Sequence, residues 1–318
     1  MKAFTRTLAA AALAALPALA QDYPAKTVTF VVPFAAGSAT DQLARALGQS
    51  VATDSKQAVV VENKPGASGF LAAQYVAASK PDGYTVLITT NTTHAANEHL
   101  FKQLPYDPVK DFAPVTGLGK GGQIMVVNLN VAAKTVGEFI AVAKKDPGKL
   151  TFGSGSSSSR IAGELFQQMA NVKLLHVPYK SNPLAITDLL GGQIDMMITD
   201  SATGLPQVRG GKLRALGVSS VKRSALAPDI PTIDEAGVKG YEMSYWFAAY
   251  VSAKTPPAVV ARLHDLLVAA TKSASAKQFY ESSGTEVFVT TPEELAKFQG
   301  AESQKWGRII KAAGILPE

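Results

Sequence analysis

Residues 177–200, Val-Pro-Tyr-Lys-Ser-Asn-Pro-Leu-Ala-Ile-Thr-Asp-Leu-Leu-Gly-Gly-Gln-Ile-Asp-Met-Met-Ile-Thr-Asp, read as strand, polar loop, short helix and buried strand. The loop Tyr179–Asn182 runs into Pro183, which suits the first turn of a helix because its missing N–H is one the helix could not bond. Leu184, Ile186, Leu189 and Leu190 supply an apolar stripe and Gly191-Gly192 ends the helix. Ile194–Ile198 is an apolar run of the length expected for a covered parallel strand. Loops at such strand ends are where open α/β sheets hold small ligands. The segment contains no nucleophile paired with a base, so it predicts the wall of a pocket rather than a catalytic centre.

Outward from this segment the same alternation recurs. Val28–Phe34 is an apolar strand leading into Ala35-Ala36-Gly37-Ser38-Ala39-Thr40-Asp41, after which Leu43, Ala44, Leu47 and Val51 recur at helical spacing. Val59–Val61, Gly69–Ala78 and Thr85–Thr89 predict a second strand, a second helix and a third strand. Phe112–Asn128 is extended and broken by glycines, which suits a crossing between domains. From Thr135 the pattern restarts, with a helix over Val136–Lys145 and strands at Leu150–Phe152, Leu174–Val177 and Leu213–Ser219 around the opening segment. Tyr245–Ser252 and Pro256–Lys272 read as a strand and a helix that pack back on the first unit. Alternating strands and helices predict parallel sheets covered on both faces. The expected architecture is an α/β clamshell with a signal peptide over 1–20, a discontinuous first domain over 21–122 and 225–318, and a second domain over 123–224.

The first twenty residues carry Lys2 and Arg6, then an apolar run from Leu8 to Leu19, then Ala18-Leu19-Ala20 before Gln21. This is the pattern of an export signal cleaved after Ala20, too short to span a bilayer comfortably. Lipoprotein processing needs a cysteine at the cleavage site, and the chain has none. The expected location is the periplasm, without membrane insertion. An exported chain without disulfides relies on buried apolar surface, and a hydrophobic share of 47% is adequate for two cores. The formal charge of +6 falls to +4 once Lys2 and Arg6 are removed. Basic residues are scattered, without the clusters of a nucleic-acid surface, so no nucleic-acid partner is expected.

The loop Pro33–Asp41 can bind an anion, because its small residues leave backbone N–H groups uncovered at the start of a helix; it can equally be a tight turn in which Ser38 or Thr40 caps that helix. Gly153–Arg160 repeats the arrangement with hydroxyls and a guanidinium. Arg160 either holds a carboxylate through parallel bonds or pairs with Glu164 one turn on. The serine run invites a nucleophile, yet there is no Gly-x-Ser-x-Gly elbow, and His94, His99, His176 and His264 sit in unrelated contexts. No Cys or carboxylate cluster completes a metal set. Gly117-Leu-Gly-Lys-Gly-Gly122 matches a dinucleotide fingerprint in letters only, since a strand rather than a helix follows it. Asp195 and Asp200, five apart on a strand, point to opposite faces and cannot share a proton. Tyr245-Trp246-Phe247 reads as core or as the apolar wall of a pocket.

Seven motifs in order, Pro33-Phe34-x-x-Gly37-x-x-x-Asp41, Glu62-Asn63-Lys64-Pro65-Gly66-Ala67, Pro81-Asp82-Gly83-Tyr84-Thr85, Ser154–Phe166, Val177-Pro-Tyr-Lys, Asp188-Leu-Leu-Gly-Gly-Gln-Ile-Asp195 and Trp246, resemble the substrate-binding proteins of tripartite tricarboxylate transporters, the Bug family. The resemblance covers the mature chain. It implies a periplasmic-binding-protein clamshell of type II character with the ligand cleft between its domains, closing on a small mono- or dicarboxylic acid, aliphatic or aromatic. It also implies delivery to a membrane permease of large and small subunits driven by an ion gradient. In that family the loops matching Pro33–Asp41 and Tyr179–Asn182 grip the carboxylate, largely through backbone N–H groups and ordered water. Ser38 and Ser181 stand where the family more often has glycine, and each adds a hydroxyl.

The expected ligand-binding set is therefore Phe34, Ala36, Gly37, Ser38, Ala39, Thr40, Asp41, Thr92, Thr93, Ser154, Ser156, Arg160, Tyr179, Lys180, Ser181, Asn182, Asp200 and Trp246, with no catalytic residue, metal or cofactor, acting as a monomer. Two rivals are an exported serine hydrolase using residues 154–159 and a carboxylate receptor that feeds a sensor kinase.

Overall fold

The computed structural model describes residues 23–318, and the expected signal peptide over 1–20 lies outside them. The chain opens as β1 (Val28–Val32), α1 (Ala39–Ser55), β2 (Val59–Asn63), α2 (Phe70–Ala77) and β3 (Thr85–Thr90). β1 pairs in parallel with β2 and with β3. Helix α1 forms where read, because Leu43, Ala44, Leu47 and Val51 place one buried stripe on the sheet while Ser38 accepts from the Asp41 N–H at its start. After β3 the chain makes a π-turn at Thr92–Ala96 and a short helix α3 (Asn97–Leu100).

β4 (Phe112–Asn128) is the hinge of the architecture. Its first part, Phe112–Gly122, pairs antiparallel with β9 (Ser244–Ser252), which also pairs with β3. From Gln123 onward it pairs instead with β7 (Met196–Asp200) and β8 (Leu213–Val218). One strand thus belongs to both halves of a nine-stranded sheet. The glycines of this strand make room more than they bend it: a methyl group on Gly117 would meet the Phe288 carbonyl oxygen at 2.5 Å, and one on Gly119 would meet Thr285 at 2.8 Å.

The second half repeats the first, with α4 (Val136–Lys145), β5 (Thr151–Ser154), α5 (Ser157–Ala170), β6 (Leu175–Pro178), α6 (Asn182–Leu190) and α7 (Ser201–Arg209) placed around β7 and β8. β5 pairs in parallel with β6 and β7. The segment before β9 stays with this half: the Ile233 N–H reaches the Val218 carbonyl at 2.8 Å, and the Tyr241 hydroxyl reaches the Ala162 carbonyl at 2.8 Å. The chain then returns to the first half as α8 (Pro257–Ala270), α9 (Ala274–Ser283) and α10 (Pro292–Ala312), whose start carries a Thr291–Glu294 capping box. An apolar core runs from Val31 and Leu87 through Tyr250 and Trp246 to Phe139, Phe152 and Phe166, so the two halves share buried surface beneath the crossing strands.

Candidate functional site

Helices α1, α5, α6 and α7 all begin at one small cavity between the two halves. Phe34, Ser38, Ala39, Thr40, Thr90, Asn91 and Thr92 line it from the first half, and Gly155, Ser156, Ser158, Asn182 and Asp200 from the second. Gln123, Tyr245 and Phe247 close it from the crossing strands. The enclosed space is about 40 Å³, enough for one or a few water molecules. Among the described residues no Lys, Arg or His lines it.

Each half fixes its edge of the cavity through hydrogen-bonded side chains. Asp41 is 2% exposed and accepts from the Gly37 N–H at 2.9 Å, from the Asn63 amide at 2.9 Å and from Arg45 at 2.9 Å. Burial opposes its ionisation, but the bonds from Arg45, Gly37 and Asn63 outweigh burial and hold the carboxyl below its ordinary range. Asn63 also donates to the Phe34 carbonyl at 2.9 Å, so the whole turn is tied to β2. Across the cavity, Asn182 is the keystone. Its Oδ1 accepts from the Gly155 N–H at 3.0 Å and the Ser159 hydroxyl at 3.1 Å, while its Nδ2 donates to Asp200 at 2.9 Å. Asp200 in turn caps α7, accepting from the Thr203 N–H at 2.8 Å.

Several polar groups on residues of the cavity wall remain unused. The first-turn N–H groups of Ala39, Thr40, Ser158 and Asn182 make no hydrogen bond with other described residues. The Asn91 Nδ2, the Thr92 Oγ1 and the Gln123 Oε1 are buried without a partner. Buried polar groups are normally satisfied, so their concentration at one point marks where a polar molecule would complete them. The positive ends of several helix dipoles favour an anion there without any cationic side chain.

Of the expected site residues, Phe34, Ser38, Ala39, Thr40, Thr92, Ser156, Asn182 and Asp200 line this cavity. Ser154, Arg160, Tyr179 and Lys180 line an adjoining vestibule of about 210 Å³ that shares Gly155 and Ser156 with it. Six sit elsewhere, for physical reasons. Ala36 and Gly37 form the exposed crest of their turn, and Asp41 is consumed in tying it. Thr93 points beneath, bonded to Thr89 at 2.6 Å and to the His94 ring at 2.9 Å. Ser181 is fully buried behind the α6 start. Trp246 faces the opposite side of β9 from Tyr245 and Phe247 and packs edge-on against Phe298 at 5.6 Å.

Thr90, Asn91, Gln123, Gly155 and Ser158 complete the wall although none belongs to the expected set, together with Tyr245 and Phe247, whose run reads as core or as pocket wall. The polar run after β3 and the aromatic run of β9 carried a signal; Gln123 carried none, because its role comes from the partner switch of β4.

The serine run does meet a histidine, contrary to expectation. The Ser154 Oγ lies 2.7 Å from the His176 Nε2. Burial chiefly, and then the nearby Arg160, push His176 down to about 4, and among the described residues no carboxylate bonds its other nitrogen. Stacked on Phe152 at 4.8 Å, this imidazole lacks the orienting acid of a triad. Among the described residues no helix is long and apolar enough to cross a membrane, and no group of three or more His, Cys, Asp or Glu is placed to hold a metal ion.

The profile of the family described as the tripartite tricarboxylate transporter family receptor matches residues 43–315. Protein BugT of Bordetella pertussis is 31% identical over 310 residues, covering 96% of this chain and 95% of its own. The solved structure of R. palustris Rpa4515 with adipate superposes with a TM-score of 0.91 at 33% identity, covering 93% of this chain and all of that one. MatC from Rhodopseudomonas palustris with bound malate gives 0.86 at 29% identity, over 91% of this chain and all of that one.

Proposed function

Because this chain belongs to the tripartite tricarboxylate transporter receptor family, a family of solute-binding proteins rather than enzymes, we propose that it captures a small carboxylate in the periplasm and delivers it to a permease of that transporter type. The ligand is held between two lobes, 21–122 with 244–318 and 123–243. The contacts of Ile233 and Tyr241 support placing the return crossing at Met243–Ser244, beyond residue 225. A carboxylate seated against the starts of α1, α5 and α6 would take up the N–H groups of Ala39, Thr40, Ser158 and Asn182, with Thr92 and Asn91 closing from β3.

The observation that carries this reading is the convergence of helix starts and orphaned polar atoms on one cavity without a cation in its wall. The adipate and malate in the two neighbours are dicarboxylates, which agrees in chemistry with such a cradle. The site offers donors to a ground-state anion and no group to cleave a bond.

The test is a thermal-shift screen across mono- and dicarboxylic acids, followed by calorimetry. A ligand at a hundred times its dissociation constant adds about 2.7 kcal/mol to stability, which reads as a clear rise in Tm. No shift and no heat with any acid would sink the proposal. Co-purification with a two-subunit permease tests the partner.

A further inference from the structure

A second and larger space between the two halves lies behind the crossing strands. Those strands form its floor, Glu286, Phe298 and Glu302 wall it from the first half, and Val218 with residues 220–226 wall it from the second. This crevice measures about 740 Å³ against about 40 Å³ for the cradle, and Gln123 and Tyr245 line both as the partition between them.

Topology sets the two spaces on opposite sides of the crossing. Lys120 pairs with Trp246 of β9 on one edge and bridges Glu286 on the other; the cradle takes the side of β9 and β3, and the crevice takes the side of Glu286. Past the partner switch, Ile124 pairs with Thr199 of β7 on one edge and with Val218 of β8 on the other. Here the cradle takes Asp200 at the end of β7, and the crevice takes Val218 and Ser220 at the end of β8. A rotation of the halves about Gly122–Gln123 and Met243–Ser244 that draws the cradle walls together therefore spreads the crevice walls, and the reverse rotation narrows them. Two polar atoms on the crevice wall, the Trp246 Nε1 and the Glu302 Oε2, are buried without a partner, which costs free energy. A narrower crevice brings Ser220, Lys222 and Ser224 toward them and covers Val221, which is 69% exposed. The pair of Lys305 with Glu242 at 3.5 Å is partly exposed and too weak to hold the spacing.

We infer that the crevice is a counterweight to the cradle: its walls part when the halves shut on an acid and meet when they open, so residues lining it set acid affinity without touching the acid. The inference rests on the halves closing on a carboxylate, as read above, and adds what favours the open form before an acid arrives. Whatever holds the crevice apart raises the share of shut molecules, and with it the apparent affinity.

The chain has no cysteine, so Val221→Cys places a single thiol on the crevice wall. Val109→Cys, at a residue 67% exposed and outside the crevice, is the control. Each folded protein is labelled with a methyl-sized or a pyrene-sized thiol reagent; X-ray scattering then gives the acid-free radius of gyration, and calorimetry the affinity for adipate and malate. Pyrene at 221 should shrink the acid-free radius and tighten whichever acid binds by about tenfold, the gain when a form held by roughly one molecule in ten becomes the only one. The methyl group at 221 and either label at 109 should change neither. A radius that stays or grows with pyrene at 221, an unchanged affinity beside a smaller radius, or the same response from the 109 label would overturn the inference and leave the cradle reading standing. A smaller radius in a protein that binds neither acid would uphold the counterweight and count against the cradle.

Discussion

The Gly155 N–H donates to the Asn182 Oδ1 at 3.0 Å, and the two backbones lie so close that a methyl group on Gly155 would collide with the Ser181 carbonyl carbon and the Asn182 nitrogen. This contact sets the starts of α5 and α6 side by side. Gly155→Ala should therefore force the two helix starts apart, at a cost of about 1–3 kcal/mol for overpacking. Urea denaturation reads the stability loss and calorimetry the loss of acid binding; unchanged values in both would refute the fixed juxtaposition.

Thr92 gives the opposite combination. Its hydroxyl is buried and has no partner, so Thr92→Val removes a polar group that stabilises nothing within the chain. The variant should melt no lower than the native protein. Acid affinity should fall by about tenfold if the hydroxyl donates to the ligand. A drop in Tm with unchanged affinity would assign it a purely structural role.

Ser157 and Asn97 join the two halves directly, the Ser157 hydroxyl donating to the Asn97 Oδ1 at 2.7 Å between buried residues. Asn97 is itself held by the Ser68 carbonyl at 2.9 Å. If the lobes part to admit ligand, this bond forms only on closure. Ser157→Ala should then weaken binding by about 1 kcal/mol, or roughly fivefold, mostly as faster release. Stopped-flow displacement gives the release rate; an unaltered rate would show that the bond persists when ligand leaves.

Acid should destabilise the protein in two stages. His94 is stacked on Tyr250 at 3.9 Å, and burial pulls it down to about 3. The unfolded chain takes up a proton near pH 6.5 while the native chain does not, so stability is complete above that pH and declines as pH falls toward about 3. His176, partly buried and held at about 4, acts in the same direction. Asp41 has the reverse dependence on charge: its depressed carboxyl stabilises the fold above the ordinary carboxylate pKa and ceases to as pH falls through its native value. Urea midpoints measured from pH 7 downward should decline, and His94→Gln should flatten the slope above pH 4 by up to one proton. An equally steep slope in that variant would exclude His94 as the source.

Much of the chain's organisation is visible before any coordinates. Helix α4 has the read limits Val136–Lys145, and β4 the read limits Phe112–Asn128, because each depends on local periodicity and on Gly, Pro and capping residues at its ends. Ser38, Thr92, Ser156, Asn182 and Asp200 are legible as residues that line the cavity for a related reason: each stands where a strand gives way to a helix start. Of the run Tyr245-Trp246-Phe247, the two outer residues line the cavity and the expected Trp246 does not. Alternation along a strand separates two faces but does not say which face turns inward.

Strand and helix order, the absence of a disulfide framework and the family motifs all follow from residue identity and short-range spacing. They are local properties, and seven motifs in sequence express them. The insertion of β9 between β3 and β4, the partner switch at Gly122–Gln123 and the meeting of Arg160 with Glu318 are contacts between residues far apart in the chain. Which orphaned donors share a cavity depends on how two half-sheets are set against each other by their buried faces. That arrangement is fixed by packing and hydrogen-bond satisfaction over the whole molecule, so only the tertiary structure could decide it.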